Sequence, residues 1–101
     1  MHARFEATAP AIVCHLGGRI ERSDIGGLCE LLGSLLSRSE RSAVVCEVGH
    51  LEPADAVAAD ALARLQLVAR RSGSEVHLRH VPSELLELLS FMGLSSCFRS
   101  S

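Results

Sequence analysis

The stretch EVGHLEPADAVAADALARLQL, Glu47 to Leu67, joins the end of an extended run to the start of an alanine-rich one. Upstream, Ala43-Val44-Val45-Cys46-Glu47-Val48 is rich in β-branched residues and does not alternate cleanly. This predicts a strand covered on both faces. Downstream, Val57 or Ala58, Ala61, Leu62, Leu65, Val68 and Ala69 recur at helical spacing and predict a helix from about Ala56 to Ser72. Asp60 and Arg64 form an i,i+4 pair on its outer side, and Gly73 stops it. Asp55, just before the helix, is placed to cap its first amides. A strand, an acidic turn and a helix in that order form the repeating unit of an α/β fold.

Working outward, Arg4 to Thr8 and Ala11 to Leu16 read as two strands joined by a turn at Ala9-Pro10, with Gly17-Gly18 closing the second. Ser23 or Asp24 can cap a helix whose stripe is Ile25, Leu28, Cys29, Leu32, Leu35 and Leu36. Beyond the quoted stretch, Glu75 to His80 alternates as a strand. Pro82-Ser83 then opens a third helix with Leu85, Leu88, Leu89 and Met92 inward, and Gly93 ends it. From Ser95 the chain reads as a serine-rich, frayed tail with Phe98 tucked back. The order is ββαβαβα. The expectation is one α/β domain over 1–101, with its core within 3–97 and a tail at 98–101, and a mostly parallel four- or five-stranded sheet packed with helices.

Composition removes several functions. The net charge of −2, with ten arginines and no lysine, gives no broad attraction to phosphate backbones, and three phenylalanines are the only aromatics; nucleic acid is not an expected partner. No apolar run approaches the ~20 residues that span a bilayer, and the N-terminus has no signal-peptide pattern, so the expected place is the cytoplasm, without direct membrane insertion. Cys14, Cys29, Cys46 and Cys97 form no CxxC pair. They read as small buried hydrophobes in a reducing compartment, with Cys97 the most exposed.

The turn is also poorly equipped for chemistry. A nucleophile would need Ser, Cys or Thr beside a base, but positions 56 to 59 are Ala-Val-Ala-Ala. His50, Glu52 and Asp55 lack a recognised metal-ligand spacing, and no phosphate-cradling glycine loop occurs. His15, His77 and His80 show no arranged partners in the sequence. The reading is no enzyme, no catalytic residue, no metal and no cofactor.

The run VVCEVGHLEPADAVAADAL resembles the signature of STAS domains, the sulfate-transporter and anti-sigma-factor-antagonist family. In that signature a hydrophobic strand leads to Asp-Leu-Ser-Gly-Val, three residues, then Asp-Ser-Ser/Thr-Gly-Leu opening a helix. Glu47 takes the place of the first Asp, Val48 of Leu and Leu51 of Val; Asp55 matches the second Asp, and Asp60, Ala61 and Leu62 continue the helix. GGRIERSDIGGLCELLGSLL resembles the family's first strand end and helix, and RRSGSEVHLRHVPSELLELLSFMGLSS its ending; together they cover roughly residues 3 to 97.

The resemblance implies a STAS-like sandwich acting as a non-enzymatic interaction module for signalling and regulation in a bacterial cell. Its partner would be an anti-sigma factor or kinase-like protein, or alternatively a transporter ATPase such as that of a lipid ABC transporter. A homodimer also stays open. The family's phosphorylated members carry the acceptor serine directly after the motif Asp; here that position is Ala56, which is not phosphorylatable, followed by Val57 and Ala58. The implied partner-binding surface is Leu51, Glu52, Asp55, Ala56, Val57, Asp60 and Arg64, with small side chains at 56, 58 and 59 letting a partner approach closely. Packing inside is the competing role for Ala58 and Ala61.

Overall fold

The computed structural model describes residues 1–8, 11–38 and 43–100. The turn expected at Ala9-Pro10 lies outside them. The elements are β1 (His2–Thr8), β2 (Ala11–Gly18), α1 (Arg22–Arg38), β3 (Ala43–Leu51), α2 (Ala56–Arg71), β4 (Val76–Arg79), α3 (Ser83–Phe91), a 3-10 turn at Ser95–Cys97 and a two-residue β5 (Arg99–Ser100). Neighbours in the sheet follow chain order from β1 to β5. The β1–β2 pair is antiparallel and all later pairs are parallel.

That order decides the layering. From β2 to β5 the chain crosses the sheet in one direction without reversing. Right-handed crossovers then lay α1, α2 and α3 on the same face. The burial agrees: Ile12, Cys14 and Leu16 of β2, Val44, Cys46 and Val48 of β3, and Val76 and Leu78 of β4 join Leu28, Leu32, Leu62, Leu65, Leu85 and Leu89 in one core. Val13, His15, Val45, Glu47 and His77 alternate with them and are only half-buried. The expectation that β3 is covered on both faces is therefore wrong. Its lack of alternation comes from Val45, whose β-branched shape suits the pleated sheet even on an open face.

Local rules explain the helix ends. In α1, Asp24 is not the cap itself; it sits in the first turn and its carboxylate accepts the Glu21 N–H at 2.9 Å, the returning half of a capping box. Gly73 and Gly93 follow the caps of α2 and α3 with φ of 78° and 74°. Beyond each, the next amide reaches back to the helix: Ser74 N–H to the Ala69 carbonyl at 2.8 Å, and Leu94 N–H to the Leu89 carbonyl at 2.7 Å. This Schellman closure needs a left-handed residue, which glycine adopts without penalty.

Two expectations for the C-terminal region change. Met92 is 41% exposed, not buried, because it caps α3 beyond the helix's inner stripe. The tail is not frayed: Phe98 is buried and Arg99–Ser100 pair with β4. Gln66, on the inner side of α2, fastens this region. Its Oε1 accepts the Val76 N–H at 2.8 Å and its Nε2 donates to the Cys97 carbonyl, so a buried amide joins β4 to the final turn. No helix among the described residues is long and apolar enough to cross a membrane.

Candidate functional site

The sequence-predicted surface lies where β3 ends and α2 begins. Leu51 closes β3, and the Glu52 N–H then donates to the Gly18 carbonyl at 3.0 Å, anchoring the turn on the end of β2. The turn runs through a cis Glu52–Pro53 peptide to Asp55. Asp55 caps α2: its Oδ1 accepts the Ala58 N–H at 3.0 Å, and its carbonyl accepts the Ala59 N–H at 3.0 Å. The helix start is thus held by side-chain and backbone bonds together, satisfying amides that would otherwise need water.

The named residues separate by burial. Glu52, Ala56 and Arg64 are exposed, and Asp55, Val57 and Asp60 are half-buried. Leu51 is only 5% exposed and belongs to the core, so it leaves the contact face; the register between β2 and β3 shifts by one residue beyond Glu47, which turns Leu51 to the covered side. Ala58, Ala59 and Ala61 are fully buried. Those at 58 and 59 therefore do not open the helix to a partner. They let α2 lie close to the sheet.

Asp60 sits at a junction. One of its oxygens is 3.3 Å from Arg22 Nη1 on α1 and 3.2 Å from Arg64 Nε, one turn further along α2. Beside this triad a shallow hollow of about 460 Å³ runs between α1 and α2, lined by Arg22, Gly26, Cys29, Asp60, Leu67 and Arg71 among others. Gly26 has open space where a side chain would stand, and Leu67 is 55% exposed. Arg22, Leu67 and Arg71 extend the surface beyond the sequence reading. Their places became visible only once α1 and α2 were side by side.

Sequence reasoning also missed a pair at the next strand end. His80 Nδ1 lies 2.6 Å from Glu47 Oε2, and Arg79 Nη1 lies 3.5 Å from Glu47 Oε1. His15, read as partnerless, stands 3.7 Å from Glu6. The hydrogen bond from His80 holds the Glu47 carboxyl below its ordinary range, against the opposing effect of desolvation and with help from the charges of His80 and Arg79. His80 adopts a left-handed φ of 57°, and a Cβ on Gly49 would meet the His80 Cβ at 3.0 Å. Glycine at 49 thus lets β3 pass close to His80. The one sequence signal was Gly49 itself, an isolated glycine inside a strand pattern.

The chemistry available here is limited. The hollow bounded by Glu47, Gly49, His50 and His80 offers an acid–base pair and no hydroxyl or thiol among those residues. Among the described residues no group of three or more His, Cys, Asp or Glu is arranged to hold a metal ion. Cys14 and Cys46, neighbours on β2 and β3, are sealed in the core; contact with Cys14 and burial push the Cys46 thiol well up. Cys29 and Cys97 are both half-buried.

A family model described as "Mlab, STAS domain" matches residues 3–99. The chain belongs to the STAS domain family. Among solved structures, the anti-sigma factor antagonist SpoIIAA in its unphosphorylated form superposes with a TM-score of 0.79 at 10% identity, over 99% of this chain and 88% of that one. An anti-sigma-factor antagonist (STAS) domain protein from Planctomyces limnophilus gives 0.76 at 12% identity, over 97% and 87%. SpoIIAA in its phosphorylated form, a Bacillus cell fate determinant, gives 0.60 at 12% identity, over 99% and 91%. No curated protein matched by sequence. At these identities the likeness is one of fold. The STAS fold of this chain therefore carries an exposed alanine, Ala56, at the first position of α2.

Proposed function

We propose that this STAS domain is a non-enzymatic docking module of the anti-sigma factor antagonist kind. Its partner is a regulatory protein of the kinase-like class, bound on the face made by Glu52, Asp55, Ala56, Val57, Asp60 and Arg64. The observation that carries the reading is Ala56. It stands exposed at a helix start that Asp55 already holds in shape, and no Ser, Thr or Tyr occurs from residue 43 to 71. Phosphoryl transfer to position 56 needs a nucleophilic oxygen or nitrogen there, and an alanine methyl offers neither. A phosphate beside Asp55 would add a charge of about −2 and alter any docked partner's electrostatics. Without it the face keeps one charge state, and binding is not toggled at position 56.

The same missing hydroxyl favours a second reading, permanent assembly with a transporter ATPase, for which no switch is needed. Gene neighbours separate the two: a sigma factor and kinase support the first, permease and ATPase genes the second.

The test is an affinity measurement with the partner recovered from the host. Ala56→Glu places a charge on the face and Ala56→Trp places bulk there. Each is expected to weaken binding at least tenfold while the thermal transition stays in place. Binding that tolerates both changes assigns the contact to another surface. Incubation with ATP and the host's switch kinases, followed by mass spectrometry, is expected to leave residues 43–71 unmodified.

A further inference from the structure

β1 ends the sheet. It pairs with β2 on one side, and among the described residues no strand lies on the other. An edge of this kind presents unpaired amides and carbonyls that another strand can take up. β1 is seven residues long, HARFEAT, against a usual strand length of about 5–6, and it contains no proline, glycine or lysine to discourage pairing. Its side chains divide between the two faces by the register with β2. Ala3, Phe5 and Ala7 oppose Leu16, Cys14 and Ile12 on the helix-covered face, and Arg4 and Glu6 oppose His15 and Val13 on the open one.

The arrangement about Phe5 is self-complementary. In an antiparallel pair related by a two-fold axis through the sheet, directly opposed residues share a face, so their numbers must add to an even sum. Three such registers keep most of β1 paired. Centring on Arg4 sets two arginines against each other, and centring on Glu6 sets two glutamates against each other. Centring on Phe5 pairs all seven residues and sets Arg4 against Glu6 of the second copy, twice. Full backbone overlap and charge complementarity thus select the same register. Arg4 and Glu6 are available for it: their side chains are 70% and 48% exposed, and their existing 3.1 Å contact with each other is a solvated one.

We propose that β1 is a homodimer interface, in which two copies pair antiparallel through Phe5 and form one continuous sheet with all helices on the same side. The proposal is independent of the docking face, which begins at β3 and is separated from β1 by β2. The dimer therefore presents two such faces at once. One strand pair covers less area than the ~1,600 Å² of a typical stable interface, so association in the micromolar range or weaker is expected.

Sedimentation of the purified chain across a wide concentration range tests the idea, with thermal unfolding as the check on folding. Arg4→Glu and Glu6→Arg each turn two attractive cross-strand pairs into repulsive ones, and each alone is expected to weaken dimerisation roughly tenfold. The two single variants mixed are expected to form a heterodimer of at least parental strength, because each chain then meets its opposite at both positions. The double variant R4E/E6R is expected to regain parental association. A chain that stays monomeric at millimolar concentration overturns the proposal. So do single variants that dimerise like the parent, or a mixture no tighter than its components.

Discussion

On one face of the sheet Ile12, Cys14, Val44, Cys46, Val76 and Leu78 are sealed beneath three helices; on the other, His15, Glu47 and Arg79 stand half-buried or exposed. The two sets alternate along the same strands. The covered face is apolar and filled from every helix, so its residues contribute through area removed from water. The open face carries paired polar and charged side chains, Glu47 with His80 and Arg79, and Glu6 with Arg4 and His15. Such pairs contribute little to stability and chiefly determine what can approach. Apolar burial and exposed charge are thereby separated onto alternate residues of the same strands.

Adjacent residues offer the sharpest way to break that division. Val44→Ala, on the covered face, is expected to cost about 2 kcal/mol through lost burial and an unfilled space. Val45→Ala, next in sequence but half-buried on the open face, is expected to cost under about 1 kcal/mol. Equal losses in urea titrations would mean that the open face is a second core.

The α2 corner lies between the two regimes, since Asp55 is half-buried and its bond to Ala58 N–H is structural. Asp55→Ala is expected to lower stability by ~1 kcal/mol. Its effect on partner affinity is expected to exceed what that loss accounts for. A much larger stability loss with unchanged affinity would make Asp55 a fold residue only.

The smallest effect is expected at Glu47. Its folded-state carboxyl is held below its ordinary range, so its contribution is present above an unfolded value of about 4.3 and disappears as pH falls through the lower folded value. Glu47→Gln is therefore expected to destabilise by no more than about 1 kcal/mol near neutral pH, with the difference vanishing in acid. Denaturation series at both pH values check the sign. A deficit that persists in acid would show that packing, not ionisation, is what Glu47 supplies.

Much of the architecture could be read from local patterns. Each of α1, α2 and α3 announced itself by a helical stripe, Gly73 and Gly93 marked the ends of α2 and α3, and Asp55 marked the start of α2. These features depend on residues within a turn or two of one another. Local spacing therefore carries them. Glu52 and Ala56 were likewise placed on the surface by their position at a strand–helix junction, and Arg64 by its i,i+4 spacing from Asp60 on the outer side of α2.

The rest depended on how the elements were brought together. The sequence could not say that β2 to β5 cross the sheet in one direction, and that choice left one face of the sheet open. Leu51 and Ala59 look like surface residues in the sequence but lie inside, because burial depends on what packs above a side chain. Glu47 and His80 are 33 residues apart and meet only because β3 and β4 are parallel neighbours. Residue pattern by itself determined the elements and their ends, since hydrogen bonding and backbone preference act over a few residues. Tertiary structure alone decided which faces were covered and which charges met, since exclusion of water and ion pairing act through space.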